Sequence, residues 1–437
     1  MIDVIAYISR NLMLAVLVVA LSAGCGDERH GDDRDTGTIH LSYWTAPNPE
    51  EYALARHLVD EWNTANPDIQ VSVQPIPAGQ SSEEILLAAV AAGTTPDLCS
   101  NIWPGITQDF IRAGGLLRLD QFSDFDSLMQ SRLPEDLLES FRAADGHYYQ
   151  IPWKTNPIMM QYNVGLFHEA GVDNPPRTYS EYLDAARRVT ALPTSPWMGY
   201  RDIRPIWWQR YFDYYAFYIG ASGGATLFRD GEIDIDAQAS NRVLEFFHAL
   251  YAGRYFPLAT MQGGANQFLT GRLATEFTGP WNIAWLEHNA PPGLEYDFAP
   301  LPVPDDHEGP VYTYGDHKNI AIFSTTRHPD AAWRFAAYLV SKEADLLLLE
   351  RARQIPVRKN LLEDETYADF FTANPMLVTF ARQAPYTRGV DGVSDLKEIL
   401  DAIARQFEAA SVYGVRSASE ATDRAVSRIR MIREWNS

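Results

Sequence analysis

Between Thr38 and Asn101 the chain alternates short β-type runs with amphipathic helices, and that order leaves few folds open. The run Thr38-Ile39-His40-Leu41-Ser42-Tyr43-Trp44 alternates with the period of a strand. A helix is predicted over 50–65, where Tyr52, Ala55, Leu58, Val59 and Trp62 recur on one face, and Asn66-Pro67 ends it. Residues 69–73 give a second strand. A second helix over 83–92 stops at Gly93, and 96–101 reads as a third, buried strand. Strands joined by crossover helices imply βαβ units and a parallel sheet, so the expected fold class is α/β.

The N-terminus has a different character. Arg10 precedes the apolar run Leu12 to Leu21, which has signal-peptide length and falls short of the ~20 residues a spanning helix needs. Ser22-Ala23-Gly24-Cys25 then reads as a lipobox, with Cys25 the residue to be acylated, although Ser22 stands where Leu is commoner and Asp3 is unusual in such a segment. A lipoprotein signal peptide is therefore expected over 1–24. Residues 25–38 carry Asp, Gly, Arg and Glu with almost no apolar side chains, and form a flexible tether. The chain has two Cys, so with Cys25 lipidated Cys99 has no disulfide partner. The remainder of the 437 residues, 46% apolar overall, is long enough for two domains held by core packing. A net charge of −21 argues against nucleic acid and anionic membrane surfaces as partners.

Residues 146–182, GHYYQIPWKTNPIMMQYNVGLFHEAGVDNPPRTYSEY, read as a strand, a Pro-Trp turn and a second apolar strand ending in Tyr162-Asn163. A short helix stopped at Gly171 follows, then a Pro175-Pro176 spacer and a new helix capped near Thr178. Gly146, Tyr149, Ile151 and Pro152, then Tyr162, Asn163, Phe167, Ala170 and Gly171, then Pro175, Pro176, Thr178, Tyr179 and Glu181 form a pattern that resembles the sugar-type extracellular solute-binding proteins of bacterial ABC importers, which are similar to maltose-binding protein. Further pieces resemble that family in the same order: Ala91-Ala92-Gly93 with Pro96-Asp97, Phe268 to Ala274, Gly279-Pro280-Trp281, Ala299-Pro300-Leu301-Pro302, and Gln354-Ile355-Pro356-Val357. The resemblance spans about 38–437.

The resemblance implies a two-lobed periplasmic-binding-protein-like fold of type II, each lobe a mixed sheet flanked by helices. It implies an N-terminal lobe of 39–152 plus 309–353 and a C-terminal lobe of 156–304 plus 356–437, with crossovers near 152–155, 304–310 and 353–356. A sugar or oligosaccharide would bind between the lobes and pass to a membrane permease. The protein would be a monomer without cofactor, held at the membrane by its lipid anchor.

Sugars offer flat C–H faces and a rim of hydroxyls, which aromatic rings and polar side chains match. Ligands of open α/β sheets lie at the carboxyl ends of strands. Trp44, Asn101, Trp103 and Trp153 stand at such ends. Trp207 and Trp208 open a helix in the second lobe, with one expected to face the cleft and the other the core. By resemblance, Trp281, the turn Tyr314-Gly315-Asp316, and Arg388 are also ligand-binding candidates. Arg388 in the cleft would favour a non-sugar solute such as a glycerophosphodiester.

Catalytic signals are weak. Gly220-Ala221-Ser222-Gly223-Gly224 fits a nucleophile-elbow pattern, but a helix-like run precedes it and a strand-like run follows, the reverse of the order an elbow needs. It reads as a helix stop and turn. The 10 His lack metal-ligand spacing, so no metal site is expected. A secreted carbohydrate-active enzyme would need paired carboxylates that meet only in space.

Overall fold

A computed structural model of the chain describes residues 37–78, 81–229, 231–259, 264–393 and 395–436. The segment expected to be a signal peptide, and Cys25, lie outside the described residues.

The first lobe is built on a five-stranded sheet. Strand β1 (Ile39–Thr45) leads into helix α1 (Pro49–Ala65), then β2 (Ile69–Pro75), α2 (Ser82–Ala92) and β3 (Leu98–Ile102), with β4 (Ile151–Lys154) much later in the chain. Asn48 caps α1 by accepting the Glu51 amide, with Pro49 at the first turn, where its missing N–H costs nothing. Leu54, Ala55, Leu58, Val59 and Trp62 turn to the sheet, and the Trp62 indole donates to the Ile69 carbonyl at 3.0 Å. β1 pairs parallel with β2 and β3, the arrangement the βαβ pattern predicts. All five residues of β3 are buried, as in a strand covered on both faces. Cys99 lies there, its thiol pushed by burial up to about 12.

The second lobe holds β5 (Met159–Asn163), then α3 (Tyr179–Thr190), α4 (Tyr214–Ala221), α5 (Ala237–Ala252), β6 (Thr275–Thr278), α6 (Trp281–Asn289) and β7 (Tyr296–Ala299). β5 is the centre of a three-stranded antiparallel sheet, pairing Met160 with Phe277 on one side and Ala299 on the other. Thr178 and Glu181 form the capping box that starts α3. Aromatic rings fill the space over the sheet: Phe217 sits 4.8 Å from Phe277 and 5.0 Å from Phe247, and Tyr179 stacks on Phe246 at 4.1 Å. Part of the 12% aromatic content is therefore core. Helix α4 ends in a turn through Gly223 and Gly224, whose φ values of 68° and 98° favour glycine, so Gly220 to Gly224 is the helix stop that strand order predicts.

The chain then returns through β8 (Thr313–Tyr314), β9 (Lys318–Ile322), α7 (Pro329–Leu339), α8 (Lys342–Ala352), β10 (Thr387–Arg388), α9 (Leu396–Phe407) and α10 (Ala418–Asn436). β9 enters the first sheet between β3 and β4, antiparallel to both, giving the order β2-β1-β3-β9-β4. β8 instead pairs with β10, and the Tyr314 ring meets Tyr211, Phe212 and Tyr215. On this pairing the middle crossing falls at about 315–317, later than 304–310. At the last crossing the chain packs both ways, with Ile355 buried among Met159 and Phe298 of the second lobe. Val357 donates to the Trp153 carbonyl at 2.8 Å and belongs to the first lobe's core.

A buried ionic knot fixes the first lobe's last segment. Asp345 Oδ2 accepts from Arg132 Nη1 at 2.8 Å and from Arg358 Nε at 2.7 Å, with Arg132 and Asp345 almost fully enclosed. It ties together the helix Phe125–Arg132, α8 and the segment that carries Val357 and Arg358.

Candidate functional site: a two-compartment cleft

The cleft lies where the carboxyl ends of the first sheet's strands face α6 and the turn Trp207–Tyr211 of the second lobe. Its larger compartment is a cavity of about 680 Å³, the smaller about 250 Å³, and Asp316 and Lys318 line both.

The larger compartment is polar at its floor. Glu51 at the start of α1 and Lys154 at the end of β4 form a buried ion pair at 2.6 Å. Gln354 donates to Glu51 at 2.7 Å and accepts from Asn156 at 3.0 Å, so the first and last crossings are joined beneath the cleft. Burial alone would raise the Glu51 carboxyl, but the Lys154 ammonium with donors Gln354 and Asn48 holds it below its ordinary value. Asn101, Trp281, Asn282 and Trp285 complete the wall. Trp281 and Trp285 are one helical turn apart on α6 and so share a face.

The smaller compartment is aromatic. Trp103, Trp207, Trp208, Tyr211, Phe212 and Tyr314 line it, with Glu83 at its edge. The Trp103 indole donates to the Tyr314 hydroxyl at 3.1 Å, and that hydroxyl donates to Asp316 at 3.1 Å. The Trp103 ring lies 5.9 Å from Trp207 and 5.3 Å from Tyr211, so side chains of the two lobes touch here. Beneath the wall, Arg210 and Asp213 form an enclosed pair at 2.8 Å that fixes the turn bearing the aromatics. Burial lowers the Lys318 ammonium, but Asp316 and then Glu83 outweigh it and raise it above its ordinary value.

The structure brings Asn101, Trp103, Trp207, Trp208, Trp281, Tyr314 and Asp316 to the cleft. Both Trp207 and Trp208 line it, whereas one was expected to face the core. Four candidates line neither compartment. Trp153 is 4% exposed and packs in the first lobe's core. Adjacent strand residues point to opposite faces, and Lys154 takes the cleft side. Trp44, half-buried, packs on the core. Gly315 sits at the middle crossing, where a Cβ would meet Thr155 Oγ1 and Thr387 Cβ at 2.7 Å; its role is close backbone approach. Arg388 turns into the second lobe, donating to the Gly224 carbonyl at 2.9 Å with its guanidinium 4.2 Å from the Tyr312 ring. Sequence reasoning missed Glu51, Glu83, Lys154, Asn156, Lys318 and Gln354, which meet from segments far apart in the chain. Trp285 carried a readable signal, four residues after Trp281 on one helix.

The chain is 26% identical over 339 residues to the maltotriose-binding protein of Pyrococcus abyssi, covering 76% of this chain and 69% of that one. It is 24% identical over 412 residues to the sn-glycerol-3-phosphate-binding periplasmic protein UgpB of Rhizobium meliloti, covering 89% and 92%. Among solved structures, the ABC substrate-binding protein Lmo0181 of Listeria monocytogenes in complex with cycloalternan superposes with a TM-score of 0.75 at 20% identity, over 91% of this chain and 99% of that one. The α/β architecture of two sheet-and-helix lobes is thus the periplasmic-binding-protein fold. The model of the family described as bacterial extracellular solute-binding protein matches residues 46–345, most of the chain, and the protein belongs to that non-enzymatic family.

Proposed function

We propose that the protein is the solute-binding component of an ABC importer, capturing a sugar or oligosaccharide between its lobes and delivering it to the membrane permease. The cleft's composition carries this reading. Ring faces from both lobes line the smaller compartment, and the amide groups of Asn101, Asn156, Asn282 and Gln354, with the rings of Trp281 and Trp285, line the larger one beside it. That pairing of stacking faces with amide groups suits a chain of hydroxylated rings. A phosphate-bearing solute would want a free cation. Arg388 is engaged elsewhere, and Lys154 and Lys318 both sit against carboxylates.

Titration calorimetry with neutral oligosaccharides and with glycerol 3-phosphate tests the ligand class. Binding of glycerol 3-phosphate alone would overturn the carbohydrate reading. Closure around the ligand should also shrink the radius of gyration in small-angle scattering, because the lobes hinge about the crossings. An unchanged profile at saturating ligand would count against a closing clamp.

The proposal includes export and lipid anchoring through Cys25, supported by the apolar run and lipobox before it. Cys25→Ala should leave the precursor unprocessed or release the protein from the membrane fraction. Identical mass and fractionation for the variant would rule the anchor out.

A further inference from the structure

The cleft holds more acceptors and negative charge than its own groups satisfy. Glu50, Glu51, Glu83 and Asp316 line it, against Lys154 and Lys318, a surplus of two carboxylates. Lys154 is engaged with Glu51, and both are enclosed. Lys318 alone serves two others, its Nζ 3.5 Å from Asp316 Oδ1 and 3.9 Å from Glu83 Oε1. Asp316 and Glu83 keep 15% and 20% of their side chains open, so a ligand can reach them. Among the described residues, no basic side chain lies within ion-pair distance of Glu50. Asn156, which lines the larger compartment and is 1% exposed, has its Oδ1 buried without a donor.

The surplus stands among aromatic faces. Glu83 and Asp316 share the smaller compartment with Trp103, Trp207 and Trp208, and Asp316 also borders the compartment of Trp281 and Trp285. Tryptophan faces attract cations, and the attraction grows as water is excluded. A cleft lined by one sign of charge between low-dielectric walls concentrates the opposite sign. A neutral sugar meets the acceptors with its hydroxyls but leaves the charge surplus in place. A phosphorylated or uronic sugar would add to it.

We infer that the ligand is an amine-bearing sugar whose ammonium group sits where the two compartments join, beside Asp316 and Glu83. This rests on the carbohydrate reading above and narrows it to basic saccharides. The ammonium would share with Lys318 the neutralisation of the two carboxylates.

Three trisaccharides test it by calorimetry on the full mature chain: a glucosamine trimer, its N-acetylated counterpart and maltotriose. At pH 6 and low salt, the glucosamine trimer should bind at least tenfold more tightly than its N-acetylated counterpart. That preference should shrink as pH is raised to 9, where the free amine loses its proton, while the N-acetylated affinity stays level. Glu83→Gln and Asp316→Asn, near-isosteric and checked for native melting, should each reduce the ratio. Equal or tighter binding of the neutral trimers, or an unchanged ratio in both variants, overturns the inference and leaves the carbohydrate reading standing. Absence of binding by all three overturns both.

Discussion

Replacing Asp345 with alanine should destabilise the protein by about 3–5 kcal/mol, because it leaves buried arginine charge with no counter-ion. Asp345 is fully enclosed and its Oδ2 serves both Arg132 and Arg358, whose guanidinium groups also donate to the Val340 carbonyl. Urea unfolding followed by fluorescence reads the loss, and the transition of the first lobe should move. An apolar triple replacement, Arg132→Met with Asp345→Leu and Arg358→Met, should recover much of that stability, since burying three ionic groups is itself costly. A single Asp345→Ala variant within about 1 kcal/mol of wild type would show that water or rearrangement satisfies the arginines.

Trp281 and Trp153 should separate cleanly, although both are tryptophans at a strand-to-cleft junction. Trp281 is half-buried, lines the larger compartment and meets Phe212 edge-on at 6.2 Å. As a stacking face in the middle of the binding surface, its loss in Trp281→Ala should cost about 2 kcal/mol of ligand affinity or more, a thirtyfold weakening, with the ligand-free melt nearly unchanged. Trp153 packs among Ile151, Ile320 and their neighbours, and Trp153→Ala should cost about 3–5 kcal/mol of stability through the cavity it leaves. Calorimetry and thermal melting on the two variants decide the matter. If Trp281→Ala melts early and the remaining folded protein binds normally, Trp281 is core and the cleft has been misassigned.

Local patterning made most of the fold legible. The strand and helix over 39–65, the capping box at Thr178 and the turn after α4 follow from periodicity and capping chemistry that act within a few residues. The short β8 strand obeys no such rule. Its partner is β10, more than seventy residues on, so the position of the middle crossing was set by a pairing that no local pattern carries. The site divides the same way. Trp281 could be picked out by its resemblance to a position of the family, and Trp207 because it opens a helix in the second lobe. Glu51, Lys154 and Gln354 come from three distant segments, and only the assembled sheet brings them within hydrogen-bonding reach. Trp153 misled because two neighbours on a strand cannot both face the cleft, and residue type does not say which one turns inward.

The place of β9 has a consequence for biosynthesis. Lys318–Ile322 lies between β3 and β4 and hydrogen-bonds to both, so the first lobe lacks an inner strand until the chain has grown past residue 322. Everything before that point can form only a sheet with an open gap, and closing it requires contacts across more than two hundred residues, which form slowly. The lobe whose first strands emerge earliest is therefore completed only after most of the chain has been made.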